Sequence, residues 1–189
     1  MRARRNSQPS PVIQEKSQSI ARSIDSRLRH TELKIVACYR AQDGEVDLEP
    51  VIETLLSSHV KVVIPVVRER RMQFSLIEPN TEFRIGPFGI EEPSTLEIVS
   101  AYRIDLVLAP LVAFSSSGHR LGRGSGYYDQ VFLNNDRTAL VGVGYDFQHS
   151  EEFSTHANDK PLDAVVTESG WRVFRTNTPW INEEVSVGG

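Results

Sequence analysis

The sequence has almost no cysteine and no long apolar run, and each absence excludes a class of protein. One cysteine, Cys38, among 189 residues rules out an intramolecular disulfide and a metal site built from a cysteine cluster. Cys38 lies inside the apolar run IVACY, which predicts a buried core thiol. No apolar run reaches the about 20 residues that a membrane-spanning helix needs. We therefore expect no membrane association.

The charge balance excludes a strongly basic protein. The formal net charge is −4, whereas domains that bind nucleic acids usually carry an excess of basic residues. The start, MRARRNSQPSP, is rich in arginine but lacks the apolar segment of a signal peptide, and a transit peptide is the minor alternative. We expect a cytoplasmic, single-domain protein that binds no nucleic acid.

Six short runs predict strands, and five of them are rich in β-branched residues. Most of these five are apolar without strict alternation, which is typical of strands buried on both faces of a parallel sheet. The sixth, Met72–Ile77, alternates and is predicted to be an edge or hairpin strand. The five apolar runs are Lys34–Tyr39, Lys61–Val67, Ile104–Pro110, Ala139–Tyr145 and Asp163–Thr167.

Helical segments alternate with these strands. They are expected at Val12–Arg29, at Leu48–Ser58 with Asp47 as N-cap, from Ser94 onward, and from Tyr127 or Tyr128 to about Leu133. This alternation predicts an α/β fold, a three-layer αβα sandwich with a mostly parallel central sheet. One domain is expected over residues 1–176, followed by a flexible polar tail over 177–189. The segment 78–93 is predicted to be a long functional loop.

The stretch GHRLGRGSGYYDQVF, Gly118–Phe132, follows one of the buried strands. Ligands of open α/β sheets bind beyond the carboxyl ends of the strands. Glycines remove the Cβ atoms that would block close approach, and such loops expose backbone N–H groups. Arg120 and Arg123 add donors suited to phosphate oxygens. The stretch predicts a phosphate or nucleotide site, with a tight structural turn as the alternative.

Asp129 is expected in the first turn of the helix that follows the glycines. Its carboxylate either interacts favourably with the helix dipole or holds Mg²⁺ against phosphates, and position alone leaves both open. The loop fits neither the P-loop, because no Gly-Lys-Ser/Thr follows, nor the dinucleotide fingerprint, whose glycine spacing differs.

The longer stretch PLVAFSSSGHRLGRGSGYYD, Pro110–Asp129, resembles the signature of the 5-formyltetrahydrofolate cyclo-ligase family, also called methenyltetrahydrofolate synthetase. Further segments are similar to the family in the same order, so that the resemblance covers about residues 12–173. These segments are Asp43–Glu53, Val62–Phe74, Phe88–Pro93 and Asn158–Thr167.

The resemblance implies an enzyme, a ligase that uses ATP and Mg²⁺ to convert 5-formyltetrahydrofolate to 5,10-methenyltetrahydrofolate with release of ADP and phosphate. It further implies phosphorylation of the formyl oxygen and ring closure by N10 of the substrate. A divergent paralogue that binds a nucleotide or folate without cyclising it is the alternative. Without the resemblance, the residues alone predict a general phosphate-sugar or phosphotransfer α/β domain.

The resemblance also implies roles for residues. Residues expected at the ATP phosphates are Arg120, Gly122, Arg123, Gly124, Ser125, Gly126, Tyr127 and Tyr128. Residues expected at the folate are Glu45, Met72, Arg123, Gly124, Ser125, Gly126 and Tyr127, with Phe74 and Phe88 as weaker candidates. Asp129 and Asp159 are the expected Mg²⁺ ligands. Ordinary structural roles compete with these: core packing for Met72 and a turn for Asp159.

The sequence departs from the family pattern in two places. Ser125 stands where many members have lysine or glycine. A family Lys-x-x-x-Arg segment that reaches ATP has no counterpart: either Arg2, Arg4 or Arg5 replaces it or the chain begins after it, and we expect the second. His119, His149 and His156 fit no metal-ligand spacing and are expected to be surface or loop residues.

Overall fold

An eight-stranded sheet forms the centre of the molecule in the computed structural model, which describes residues 4–5, 7–86 and 89–175. The helices are α1 (Ser10–Leu28), α2 (Glu49–Ser57) and α3 (Tyr127–Phe132). The strands are β1 (Ile35–Ala37), β2 (Lys61–Arg68), β3 (Arg71–Ile77), β4 (Phe83–Ile85), β5 (Glu91–Pro93), β6 (Ile98–Val99), β7 (Leu106–Pro110), β8 (Ala113–Phe114), β9 (Arg120–Leu121), β10 (Ala139–Val143), β11 (Ala164–Thr167) and β12 (Gly170–Val173).

The sheet is mostly parallel, as the unbroken apolar runs predicted. Its strand order is β12-β11-β10-β7-β1-β2-β3-β6. The five central strands β11, β10, β7, β1 and β2 pair in parallel, and antiparallel pairing is confined to the two ends of the sheet. Every residue of β1, β10 and β11 is buried, which is the pattern of strands covered on both faces.

Apolar side chains cover both faces of the sheet, which confirms the predicted three layers. On one face, Ile20 and Ile24 of α1 and Val51 of α2 pack on alternate residues of the central strands. On the other face, Phe132 of the six-residue helix α3 packs against Phe74 of β3, with ring centroids 5.6 Å apart. Burying such side chains supplies most of the stability, at roughly 1.5–3 kcal/mol for each one fully buried.

The helix predicted to start at Ser94 is wrong. Ile98 and Val99 form strand β6 instead, opposite Ser75 and Phe74 of β3, and a short 3-10 turn, Ala101–Arg103, follows. The unpaired edge of β3 binds this segment, so that tertiary pairing overrides the local helical pattern.

Three further strand pairings were not predicted. The segment 78–93 contains a hairpin of β4 and β5, β8 pairs antiparallel with β9, and β12 pairs antiparallel with β11 at the other end of the sheet. Helix α2 begins at Glu49, with Leu48 at the N-cap position. Asp47 nevertheless accepts a hydrogen bond from the Glu49 N–H at 3.0 Å, as an N-terminal cap does.

Cys38 directly follows β1 and is 1% exposed, as expected of a core thiol. Burial raises the pKa of this thiol well above its usual range. Within residues 4–5, 7–86 and 89–175, no helix is long and apolar enough to cross a membrane. The predicted tail over 177–189, together with Arg2 and Phe88, lies outside the described residues.

The strand order reverses between β1 and β7. The chain leaves β1 towards β2 on one side, and β7 later pairs with the opposite side of β1. In an open α/β sheet, the loops that leave two such strands diverge and leave a crevice at the carboxyl edge. The fold therefore forms a crevice between the loop after β1 and the loop after β7, the kind of place where ligands of open α/β sheets bind.

Candidate active site

Three loops meet at the carboxyl edge of the sheet, after β1, β7 and β10. The glycine-rich loop after β7 contacts the loop after β1 through Arg123 and Glu45, whose Nη2 and Oε1 atoms lie 2.9 Å apart. It contacts the loop after β10 through Arg120, which donates to the Lys160 carbonyl at 2.6 Å. Segments distant in sequence thus enclose one cleft.

The glycine-rich loop has the backbone that its sequence predicted. Gly124 has φ +94° and Gly126 has φ +61°, conformations that side chains with a Cβ rarely adopt. Gly126 is also the N-cap of α3. A Cβ placed on Gly122 or Gly124 would meet no atom within 4 Å, so this backbone faces open space in which a ligand can approach closely.

Arg120 and Asp129 form an ion pair beneath the loop. The Arg120 Nη2 donates to Asp129 Oδ1 at 2.9 Å, and the Lys160 backbone N–H donates to the same oxygen at 2.9 Å. The Arg120 side chain is 5% exposed and that of Asp129 is 25% exposed. Both contacts use Oδ1, so Oδ2 is the oxygen with which Asp129 can bind a further group.

Asp159 directly precedes Lys160, whose backbone N–H bonds to Asp129. Its Oδ2 accepts from the His156 N–H at 2.7 Å, which closes the local turn that was its alternative role. The described part of the chain contains no group of three or more His, Cys, Asp or Glu side chains able to hold a metal. His149 and His119 bond to serine hydroxyls, as expected of loop histidines.

Arg123 does not point away from the protein; it is bound by the loop after β1. Its guanidinium contacts Glu45 Oε1 at 2.9 Å, Asp43 Oδ2 at 3.3 Å and Gln42 Oε1 at 3.3 Å. The Glu45 side chain is 7% exposed and that of Arg123 is 36% exposed. Glu45 thus lies at the bottom of the cleft, and Arg123 covers it from the solvent side.

Arg5 lies on the other side of Glu45 and is buried. Its Nε donates to the Asp43 carbonyl at 2.6 Å, its Nη1 donates to the Leu111 carbonyl at 3.4 Å, and its Nη2 lies 3.9 Å from Glu45 Oε1. Sequence reasoning named Arg5 only as a replacement for a missing ATP contact. Its contacts instead link the loops after β1 and β7.

The two tyrosines of the signature pack against the core at the start of α3. Burial and the nearby Glu45 carboxylate raise the pKa of the Tyr128 phenol, although the Arg120 guanidinium, 5.9 Å from the centroid of its ring, opposes this. Tyr128 therefore stays a neutral phenol across the physiological pH range.

Met72 and Phe74 lie in the core cluster beneath α3. Met72 is 8% exposed and Phe74 is 1% exposed. Core packing accounts for Phe74, whose ring packs at a tilt of 57° against that of Phe132. A contact between Met72 and the folate stays a prediction.

The β4–β5 hairpin lies within the segment 78–93 that was predicted to be a functional loop, but its contacts with the loop after β1 were not predicted. Arg40 pairs with Glu91 of the hairpin at 2.8 Å and also with Glu49, and its guanidinium lies 4.7 Å from the centroid of the Phe83 ring. Gln42 donates from Nε2 to the Gly89 carbonyl near the hairpin tip at 2.6 Å. These residues lie outside the glycine motif, and no local signal marks them.

Two cavities flank this region. The larger, of about 720 Å³, runs from Glu45 and Asp47 along the first turns of α1 and is lined by Arg5 and Ser17. The smaller, of about 410 Å³, lies between Tyr39, Arg40 and Glu91. Both open beside Glu45 or the loop that carries it, so the cleft has room for ligands on either side of the loop after β1.

A parallel sheet, a reversal of strand order and a glycine-rich loop at the carboxyl edge define an α/β enzyme whose ligands bind beyond the strand ends. A sequence model of the 5-formyltetrahydrofolate cyclo-ligase family matches residues 1–168, and the chain belongs to this family. This confirms the resemblance drawn from the signature.

Individual relatives agree with this assignment. The chain is 35% identical over 141 residues to the 5-formyltetrahydrofolate cyclo-ligase of Escherichia coli K12, covering 71% of this chain and 78% of the relative. It is 30% identical over 156 residues to that of Haemophilus influenzae, covering 79% and 83%. The solved structure of Aquifex aeolicus 5,10-methenyltetrahydrofolate synthetase matches with a TM-score of 0.81 at 31% identity, covering 93% of this chain and 89% of that one.

Proposed function

We propose that the chain converts 5-formyltetrahydrofolate to 5,10-methenyltetrahydrofolate with ATP and Mg²⁺, releasing ADP and phosphate. The observation that carries this is the 2.9 Å contact between Arg123 and Glu45. This contact joins the glycine-rich loop, which suits phosphates, to the Glu45 carboxylate, which suits the pterin. Both lie where the strand order reverses, between β1 and β7. We further propose that the protein acts as a cytoplasmic monomer on these small molecules.

The glycine-rich loop is the proposed phosphate site. The open space above Gly122 and Gly124 lets phosphate oxygens reach the backbone N–H groups. Arg123, at 36% exposure, is the cation best placed to turn towards a phosphate. Arg120 is held by Asp129 and Lys160, so its proposed contribution is a fixed positive field rather than a mobile contact.

The residues present fit a magnesium ion that is shared with the phosphates. Mg²⁺ prefers oxygen ligands and usually takes one or two carboxylates, with water and substrate phosphates completing its shell. Asp129 would supply Oδ2, and Asp159 would supply a second carboxylate. The described residues contain no group of three or more ligating side chains, so water and phosphate oxygens would provide the other ligands. When bound, the ion would neutralise charge on the transferred phosphoryl group.

Glu45 is the proposed recognition group for the folate. A carboxylate accepts hydrogen bonds only, and the pterin amino and ring N–H groups are donors. Glu45 is held in the cleft by Arg5 and Arg123, next to cavities on both sides of its loop. Tyr127 and Met72 are proposed to contact the folate beside it.

The proposed chemistry needs positioning rather than a protein nucleophile. The formyl oxygen attacks the γ-phosphorus of ATP and ADP leaves. N10 then attacks the activated formyl carbon, the carbon–oxygen bond breaks, phosphate leaves and the N10 proton is lost. The arginines of the loop offset the negative charge that develops on the phosphoryl oxygens.

One assay tests the proposal. Purified protein is mixed with 5-formyltetrahydrofolate, ATP and Mg²⁺, and the methenyl chromophore and ADP are followed together. We expect one ADP for each methenyl product and no product when ATP or Mg²⁺ is omitted. Folate binding without turnover would contradict the enzymatic proposal and would favour a binding paralogue.

A further inference from the structure

Arg5 is a buried cation at the point where the strand order reverses. Its side chain is 2% exposed, and that of Glu45, at 3.9 Å, is 7% exposed. A buried guanidinium costs several kcal/mol unless its donors are satisfied. Here they are directed at the Asp43 carbonyl, at the Leu111 carbonyl and towards Glu45. One side chain therefore ties together the loops after β1 and β7.

The turn that Arg5 contacts contains two consecutive residues with positive φ. Asp43 has φ +49° and Gly44 has φ +70°, and the Glu45 N–H donates to the Gln42 carbonyl at 2.9 Å to close it. A non-glycine residue in the left-handed region needs support from its surroundings. The 2.6 Å bond from Arg5 to the Asp43 carbonyl supplies that support from the buried side.

The two arginines around Glu45 differ in exposure. Arg123 reaches Glu45 from the glycine-rich loop and is 36% exposed, so a phosphate can compete for it. Arg5 lines the larger cavity, but its side chain is 2% exposed and its Nε and Nη1 are held by the Asp43 and Leu111 carbonyls, so it is less free to turn to a phosphate. When Arg123 turns to a phosphate, Arg5 is the cation that stays beside Glu45.

We propose that Arg5 is a positioning residue: it holds the Asp43–Gly44 turn and thereby fixes the Glu45 carboxylate for the folate. This inference rests on the proposed function, because it takes Glu45 as the group that binds folate. Arg5 itself is not proposed to touch either substrate. It acts through the backbone of the turn and through its charge beside Glu45.

Steady-state kinetics of Arg5→Gln and Arg5→Lys test the kinetic part. We expect Arg5→Gln to raise KM for 5-formyltetrahydrofolate by about tenfold, the scale of one lost charge-assisted hydrogen bond, with KM for Mg·ATP unchanged. Arg5→Lys, which keeps the charge, should recover part of the loss. Arg22→Gln, an exposed arginine on α1, is the matched control and should behave as the wild type.

A double variant separates positioning from general structure. If Arg5 acts through Glu45, Arg5→Gln combined with Glu45→Gln should bind folate no more weakly than Glu45→Gln alone. Independent, multiplying losses would overturn the proposal, and so would an equal rise in KM for both substrates. If Arg5→Gln does not fold, Arg5→Lys replaces it: folate binding of the double variant Arg5→Lys with Glu45→Gln is compared with that of Glu45→Gln alone.

Hydrogen exchange gives a readout that does not need turnover. We expect faster exchange of the Glu45 amide in Arg5→Gln, with the central strands unchanged. Unchanged exchange at residues 42–46 would overturn the positioning role even in an active enzyme. Wild-type protein without turnover but with Arg5-dependent exchange would instead contradict the proposed function and leave the positioning role standing.

Discussion

Asp129 is predicted to have two separable roles, one in stability and one in Mg·ATP use. Its Oδ1 accepts from both Arg120 Nη2 and the Lys160 N–H, and Arg120 is 5% exposed. Asp129→Ala leaves the buried guanidinium without its carboxylate, which costs about 3–5 kcal/mol when both partners are fully buried. Because Asp129 is 25% exposed and solvent screens the pair, we expect about 2–3 kcal/mol.

Asp129→Asn should cost about 1 kcal/mol, because the amide oxygen still accepts both hydrogen bonds and only the charge is lost. Both variants should lose Mg·ATP turnover by about 100-fold or more, since stabilisation of transferred charge by a metal is worth several kcal/mol. Folate binding should change little in Asp129→Asn.

Urea unfolding at pH 7 measures the first effect, and turnover at varied Mg²⁺ with folate titration calorimetry measures the second. Asp136→Asn is the control, because Asp136 pairs with Lys160 through Nζ rather than through the backbone N–H, and its side chain is 87% exposed. Equal destabilisation by Ala and Asn would refute the expectation that the two hydrogen bonds to Oδ1, which Asn keeps, contribute to stability beyond the charge. Equal loss of folate and Mg·ATP binding in Asp129→Asn would refute the metal role and make Asp129 structural.

Two other changes have defined outcomes. Gly124→Ala should lower the unfolding free energy by about 1–2 kcal/mol because of the +94° φ, whereas Gly122→Ala, equally open but without a left-handed φ, should be nearly neutral in thermal unfolding; similar stabilities would contradict the backbone argument. Asp163 accepts from the Leu140 N–H at 2.7 Å, and burial raises its pKa above 3.8. Because the folded state then binds the proton first, its stability relative to Asp163→Asn should rise as pH falls from 7 towards 4, and a constant difference in urea unfolding across that range would contradict this.

The sheet was predictable from the sequence because its central strands are buried on both faces and carry unbroken apolar runs. The helix predicted from Ser94 was wrong because its pattern is local. The free edge of β3, which binds Ile98 and Val99, cannot be recognised from the sequence of that run. Likewise, β12 forms where β11 offers an edge.

The glycine-rich loop was predictable because glycine spacing and arginines act locally on the backbone. The partners of that loop were not. Arg123 and Glu45 are 78 positions apart, and only the meeting of two strand ends brings them together. Arg5 and Leu111 are still farther apart in sequence, by 106 positions, and only the fold brings them together. The resemblance named Glu45 and Arg123 as ligand contacts, but it did not predict that Arg123 and Arg5 contact Glu45.

The enclosed position of Cys38 has a practical consequence for work in solution. Its thiol is 1% exposed and burial disfavours the reactive thiolate, so the folded protein should be nearly inert to maleimides without any change of sequence. A cysteine introduced at an exposed position such as Ser125 would then be the single reactive thiol. A fluorophore or spin label placed there would report the approach of the glycine-rich loop to the loop after β1 in an otherwise native background.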